Sequence, residues 1–235
     1  MPVFFTQHIS GDQAFLEEEE SRHVVRVLRL KKNDVLEFVD GLGMRYKSII
    51  TDPDPIQTKL RIIESHKDHL SREFNLHIAI APTKSTVRFE WFLEKATEIG
   101  IEEITPILCD HSERNRLRYD RLDKILISAM KQSGRAFLPR LNPLLPFKEF
   151  VDKTNSDLKY IAHCRTEPGN LPKKPLERNL TWTVLIGPEG DFSKEEVLIS
   201  EEKGFREISL GEAVYRTETA GIIACQLVSF LNQDI

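Results

Sequence analysis

Short apolar runs separated by turn residues fill the first 65 positions. Asp34-Val35-Leu36-Glu37-Phe38-Val39-Asp40-Gly41 is a strand running into a turn marked by Asp-Gly. Tyr46 to Thr51 and Lys59 to Ile63 read as further strands, with Asp52-Pro53-Asp54-Pro55 as turn chemistry between them. His66 to Glu73 is polar and without period, the pattern of a linker. From Phe74 the pattern changes, and apolar runs alternate with helical stripes. Leu76 to Ala81 predicts a strand ended by Pro82. Phe89, Phe92, Leu93, Ala96 and Ile99 form a helical stripe, with Gly100 at the C-cap position. Ile104 to Cys109, Lys159 to Cys164, Trp182 to Ile186 and Glu207 to Leu210 predict strands. Asp120 to Ser133, with Leu122, Ile125, Leu126 and Ala129 inward, predicts a helix, as does Thr219 to Leu231. Ser193 with Glu196 is a capping box that opens another. Strands alternating with helices predict an α/β sheet with mostly parallel strands. The expected division is a β-rich unit over residues 1–70 and an α/β unit over 74–235.

Arg22, Arg26 and Arg29 recur at helical spacing inside the first unit, while Val25 and Leu28 point elsewhere. That predicts a short helix with a cationic face; a solvated amphipathic helix fits the same spacing. The formal net charge of the 235 residues is −4, which argues against indiscriminate nucleic-acid binding. The charges are segregated, however. Glu17 to Glu20 is acidic, whereas Arg22 to Lys32 and Arg114 to Arg140 are basic, and local basic patches are what contact phosphates. No apolar run is long enough for a membrane span and the N-terminus shows no signal peptide. Cys109, Cys164 and Cys225 are scattered in apolar contexts, which predicts buried cytosolic thiols. The seven histidines show no ligand spacing with Cys or acidic residues, so no metal site is expected.

Two glycine-marked loops near the C-terminus follow apolar strands: Ile186-Gly187-Pro188-Glu189-Gly190 and Leu210-Gly211 onward to Ala220. Ligands of an open α/β sheet gather at the carboxyl ends of its strands. Pro188 fixes φ, and Gly190 can adopt φ > 0. An ordinary strand-to-helix turn has the same composition. Glu195 and Glu196 in the first turn of the following helix suit its dipole but repel a phosphate, which disfavours a dinucleotide. An uncharged adenosine carrying an amino-acid tail and a sulfonium fits better. Arg216 and Glu218 read equally as reactive groups or as a local ion pair, and Thr217 or Thr219 is able to cap the last helix.

Five motifs now stand in order: His23-Val24-Val25-Arg26-Val27-Leu28-Arg29, Glu94-Lys95-Ala96-Thr97-Glu98-Ile99-Gly100, Gln132-Ser133-Gly134-Arg135, Ile186 to Gly190, and Arg216-Thr217-Glu218-Thr219-Ala220. Together they resemble the RsmE family of 16S ribosomal RNA uridine N3-methyltransferases, nearly end to end. The resemblance implies a PUA-like β-barrel before a SPOUT-type α/β domain with a C-terminal trefoil knot. It implies S-adenosylmethionine as cofactor, 16S ribosomal RNA or the small ribosomal subunit as partner, a homodimer and a cytoplasmic location. Cofactor contacts are then expected from His163, Cys164, Ile186, Gly187, Pro188, Glu189, Gly190, Leu210, Gly211, Val214, Tyr215, Arg216 and Thr219. Arg216 is expected to stabilise a uridine anion, and Glu218 to accept the N3 proton or to orient Arg216. RNA contacts are expected from Arg22, Arg26, Arg29, Arg114, Arg116, Arg118 and Arg135. The chain departs from the family pattern at Asp191, usually Gly, and at Ala213, within Gly211-Glu212-Ala213-Val214-Tyr215-Arg216, where an arginine is usual. A non-catalytic RNA-binding ribosome-assembly protein is the rival reading. A nucleotide-dependent oxidoreductase lacks its GxGxxG.

Overall fold

Alternating burial along the first strands dictates a curved sheet with one filled face. The computed structural model describes residues 3–70, 72–166 and 169–232. The chain begins with β1 (Phe4–Phe5), β2 (Ile9–Ser10) and β3 (Gln13–Phe15), then α1 (Glu18–Arg22). β4 (Val35–Val39), β5 (Met44–Asp52) and β6 (Lys59–Lys67) follow. The sheet order is β1-β4-β5-β6-β3-β2, antiparallel except for the β1–β4 pair. Register shifts in the β5–β6 ladder twist it, and Phe4, Leu16, Val24, Leu36, Phe38, Ile50 and Leu60 fill its interior. The Asp40-Gly41 turn forms as predicted: Gly41 takes φ +76°, and Asp40 Oδ1 accepts from the N–H groups of Leu42 and Met44. A compact unit formed by residues 1–71 also takes in 127–138, where Met130 and Ala136 pack on Val39.

Two expectations fail here. His66 and Lys67 are not linker but the end of β6, paired with Arg45 and Met44; ladder hydrogen bonds override their polar composition. The Arg22–Arg29 stretch is not one helix face. α1 passes into a π-helical turn over His23–Val27, and Arg29 sits at φ +57°, outside any helix. Leu28 is exposed as well, not turned inward.

The second unit, residues 72–126 and 139–235, is built on a parallel sheet. Its elements are β7 (Asn75–Ile80), α2 (Thr86–Ile99), β8 (Glu103–Leu108), α3 (Tyr119–Gln132, of which the last turns count with the first unit), β9 (Arg140–Leu141) and β10 (Leu145–Pro146). α4 (Phe147–Lys153), β11 (Leu158–Ala162), β12 (Thr181–Ile186), α5 (Lys194–Glu202), β13 (Arg206–Ile208) and α6 (Thr217–Leu231) complete it. The order is β10-β8-β7-β12-β11-β13, with β9 also on β8, and every described pair is parallel. Strands buried on both faces read as the continuous apolar runs seen in the sequence. Gly100 caps α2 at φ +93°, and Ser193 and Glu196 form the capping box of α5. The sequence pattern gave no sign of α4, β9 or β10, because two strands have two residues each and α4 spans two turns. α6 lies against α2 and β7 so closely that a Cβ on Gly221 would sit 2.6 Å from the Phe92 ring. Among the described residues no helix is long and apolar enough to cross a membrane.

Candidate active site

The carboxyl ends of β11, β12 and β13 open into a cavity of about 420 Å³. That is within the range usual for small-ligand sites. Three loops wall it: the one leaving β11 through His163 and Cys164, the one leaving β12 through Gly187 to Asp191, and the one from Ser209 to Arg216. Ala162, Ile186, Ile208, Leu210 and Ala220 supply apolar wall. Of the residues predicted to hold a cofactor, His163, Cys164, Ile186, Gly187, Pro188, Glu189, Leu210, Gly211, Val214, Tyr215 and Arg216 line this cavity; Gly190 and Thr219 do not.

Each loop is held by contacts across long sequence separations. Thr217 Oγ1 donates to the Gly187 carbonyl at 3.0 Å, tying the start of α6 to the end of β12. Neither Thr217 nor Thr219 therefore caps α6, whose N-cap is Arg216 with no side-chain bond. Glu189 turns its carboxylate back to accept from the Lys84 N–H at 2.9 Å. Gly190 is not in the left-handed region. Its backbone runs close to His111: a Cβ there would meet His111 Cβ at 3.0 Å, so a larger residue would press on that side chain. The His111 ring donates from Nδ1 toward the Gly190 and Asp191 carbonyls, and that contact raises its pKa. The residue in the left-handed region is Asp191, at φ +61°. Asp191 is among the few residue types that enter that region, and its carboxylate accepts from its neighbour Phe192 N–H and from Cys164 N–H.

Cys164 is exposed, against the expectation of three buried thiols; Cys109 and Cys225 are buried. Burial of part of its surface and the Asp191 carboxylate push the Cys164 thiol up, away from thiolate chemistry. His163 Nδ1 accepts from Arg165 N–H, so its proton sits on Nε2, which lies 3.1 Å from Glu207 Oε1 without hydrogen-bond alignment. Thr166 Oγ1, in the cavity wall, is buried with no hydrogen-bond partner among the described residues. A buried hydroxyl left bare is a feature that a bound ligand satisfies. Glu189, Asp191 and Glu212 outnumber Arg216 among the charged lining groups, a balance that favours a cation over a phosphate. Glu196 is not part of that balance: it is buried and accepts from Ser193 N–H and Asp110 N–H. Apolar walls for a purine, an orphan hydroxyl and surplus negative charge suit an adenosyl sulfonium.

A second, shallower groove adjoins the first and shares Val214, Tyr215 and Arg216 with it. Thr219 and Glu218 lie here. Arg216 and Glu218 do not form a local ion pair. Glu218 is buried, with Oε1 3.8 Å from Arg88 Nε, whereas Arg216 is exposed. Sequence reasoning missed Arg88, since a single arginine on an amphipathic helix carries no signal.

The predicted RNA-contact arginines fall into separate groups. Arg22, Arg26 and Arg29 are exposed in the first unit, Arg22 paired with Glu18. Arg116 and Arg118 are exposed in the second. Arg114 commits its guanidinium to the Thr83 and Lys84 carbonyls, a structural role the composition did not reveal. Arg135 is half-buried within the 127–138 segment, with Nη1 3.4 Å from the Leu70 carbonyl.

Comparison with known proteins gives a consistent result. Residues 71–229 match the family model of an RNA methyltransferase domain, and residues 16–63 that of an RNA methyltransferase PUA domain. The chain is 28% identical over 228 residues to the ribosomal RNA small subunit methyltransferase E of Buchnera aphidicola subsp. Acyrthosiphon pisum, covering 94% of this chain and 88% of that protein. It superposes on the crystal structure of a probable rRNA-methyltransferase from Porphyromonas gingivalis with a TM-score of 0.87 and 35% identity, over 99% of this chain and 98% of that one. A ribosomal RNA small subunit methyltransferase E from Neisseria gonorrhoeae, solved with S-adenosyl methionine bound, superposes with a TM-score of 0.83 and 26% identity over 98% of both chains.

Proposed function

The chain belongs to the RNA methyltransferase family, among the ribosomal RNA small subunit methyltransferase E proteins, and from that premise we propose that it methylates N3 of one uridine in 16S ribosomal RNA. The observation that carries the reading is the cavity at the ends of β11, β12 and β13, whose apolar walls and surplus carboxylates suit an adenosyl sulfonium. S-adenosylmethionine bound there supplies an electrophilic methyl group. The chain's own residues do the rest. The Gly187–Asp191 loop, pinned by Thr217, Lys84 and His111, is preorganised to position a ligand, and positioning is a large part of the rate of a two-substrate reaction. Arg216 lines both the cavity and the adjoining groove, which supports a role where a bound donor would meet an incoming base. There it stabilises the negative charge that develops on uracil as N3 loses its proton, each pK unit being worth about 1.4 kcal/mol. Glu218, across the same groove, is the candidate proton acceptor.

N3 lies on the Watson–Crick edge, so the target base must be unpaired or extruded. Arg22, Arg26 and Arg29, with Arg116 and Arg118, hold the RNA backbone. The protein works as a cytoplasmic homodimer. The decisive experiment incubates it with labelled donor and unmodified small-subunit RNA, then maps the methyl group by mass spectrometry. A single N3-methyluridine is expected. Transfer to another atom overturns the uridine-N3 assignment, and no transfer to free RNA or to assembled subunits overturns the activity itself.

A further inference from the structure

The groove beside the cavity holds two features that the cavity itself does not explain. Trp91 on α2 is 42% exposed, while Phe89 and Phe92 on the same helix are fully buried. Glu218, its side chain only 9% exposed, has Oε1 3.8 Å from Arg88 Nε, and its Oε2 is buried with no hydrogen-bond partner among the described residues. A bare buried carboxylate oxygen is costly unless something supplies a proton or a donor. Trp91, Arg88 and Glu218 line one groove of about 600 Å³, and Arg216 joins it to the cofactor cavity. An exposed indole face, a carboxylate acceptor and two guanidiniums are the set that recognises a flat heterocycle with an acidic N–H between two carbonyl oxygens. Uracil has that edge.

Resting on the methyltransferase reading, we propose that this groove is the acceptor-base pocket. Trp91 is the stacking platform for the extruded uracil, Glu218 takes its N3 proton, and Arg88 is the positioning residue that holds the carboxylate toward the base. In the transfer step the N3–H bond breaks toward Glu218 and the pair left on N3 closes on the methyl carbon. The pair of the methyl–sulfur bond returns to sulfur, so a sulfonium and a carboxylate become a neutral thioether and a carboxylic acid.

The test compares Trp91→Ala, Trp91→Phe, Arg88→Ala and Arg88→Lys with the wild-type chain. Readouts are KM for unmodified small-subunit RNA, kcat, S-adenosylhomocysteine affinity by calorimetry, melting temperature and molar mass by light scattering. Trp91→Ala should raise KM for RNA about tenfold, the loss of one stacked base, with Trp91→Phe retaining most of the wild-type value. Arg88→Ala should lower kcat at least about tenfold at unchanged cofactor affinity and melting temperature, with partial recovery in Arg88→Lys. Wild-type KM in Trp91→Ala or wild-type kcat in Arg88→Ala overturns the assignment. A fall in molar mass in Trp91→Ala also overturns it, because the groove would then be a contact between copies of the chain. If the wild-type protein transfers no methyl group at all, the underlying reading falls and takes this one with it.

Discussion

The parallel sheet has a cavity at each end, and the two differ in how far their polar groups are already satisfied. The cavity at the carboxyl ends is about 420 Å³, and the one at the amino ends of β7, β8 and β12 is about 480 Å³. At the amino ends His77 Nε2 meets Thr105 Oγ1 at 2.7 Å. Asn142 donates to Thr105 Oγ1 and to Glu103, and Arg140 also donates to Glu103. Donors and acceptors of this network match one another, and the bare group on that wall is the buried Trp182 Nε1, which has no partner among the described residues. At the carboxyl ends, Thr166 Oγ1 and, in the adjoining groove, Glu218 Oε2 have no partner among the described residues, and carboxylates outnumber the one guanidinium on the cavity wall. Volume therefore does not distinguish a binding site from a structural hollow here. The kind of unmet group does: an indole N–H at the amino ends, but a hydroxyl, a carboxylate oxygen and surplus negative charge at the carboxyl ends, the set that gains from a cationic, donor-rich ligand.

If that contrast holds, loss of an unpaired group at the carboxyl end should remove catalysis and spare stability, and loss of a hydrogen-bonded group at either end should cost stability. The largest effect is expected from Arg216→Ala, which should lower kcat about 100- to 1000-fold, as for loss of one preorganised charge-stabilising group. Its affinity for S-adenosylhomocysteine and its melting temperature should stay near wild type; near-wild-type turnover would remove Arg216 from the reaction. Next comes pH. Burial pushes the His77 imidazole down from 6.5 to about 4, against the pull of the Glu103 carboxylate. The unfolded chain binds the proton first as pH falls, so this stability is complete above 6.5 and is lost as pH drops toward 4. The loss is about 3 kcal/mol. Urea unfolding of wild type and His77→Gln across that window should diverge in slope, and parallel curves would refute the assignment.

Thr105→Val, close to isosteric, strands His77 Nε2 and one Asn142 N–H. A cost of about 1–3 kcal/mol is expected in unfolding free energy, with kcat unchanged. A fall in kcat without a fall in stability would reverse the comparison. The smallest effect is at Asp191. Asp191→Ala keeps the left-handed strain and loses the bonds to Cys164 and Phe192, for about 1–2 kcal/mol. Asp191→Gly loses the same bonds but relieves the strain, so its melting temperature should lie above that of Asp191→Ala.

Local chemistry was legible wherever a short stretch decides its own shape. The Ser193–Glu196 capping box, the left-handed Gly100 and the Asp40-Gly41 turn all follow from side chains within a few residues of the backbone they serve. The three loops of the cavity were legible for the same reason, as strand ends followed by turn residues. Roles set by distant partners were not. Gly190 looked like a residue of unusual φ, but its constraint is the His111 ring from 79 positions away. Arg114 looked like a phosphate contact, and its guanidinium holds loop carbonyls. Asp191 looked like a defect in a glycine pattern; its carboxylate bridges two loops.

By itself, then, the order of residues determined the succession of strands and helices, their caps, and which loops carry glycine, because propensity, capping and turn formation act over a few positions. Only the tertiary structure decided which of those loops share a cavity, that Glu218 turns to Arg88 rather than to Arg216, and which end of the sheet gathers surplus carboxylates. Those outcomes depend on groups brought together from remote parts of the chain, and the pairing of remote groups is a property of packing.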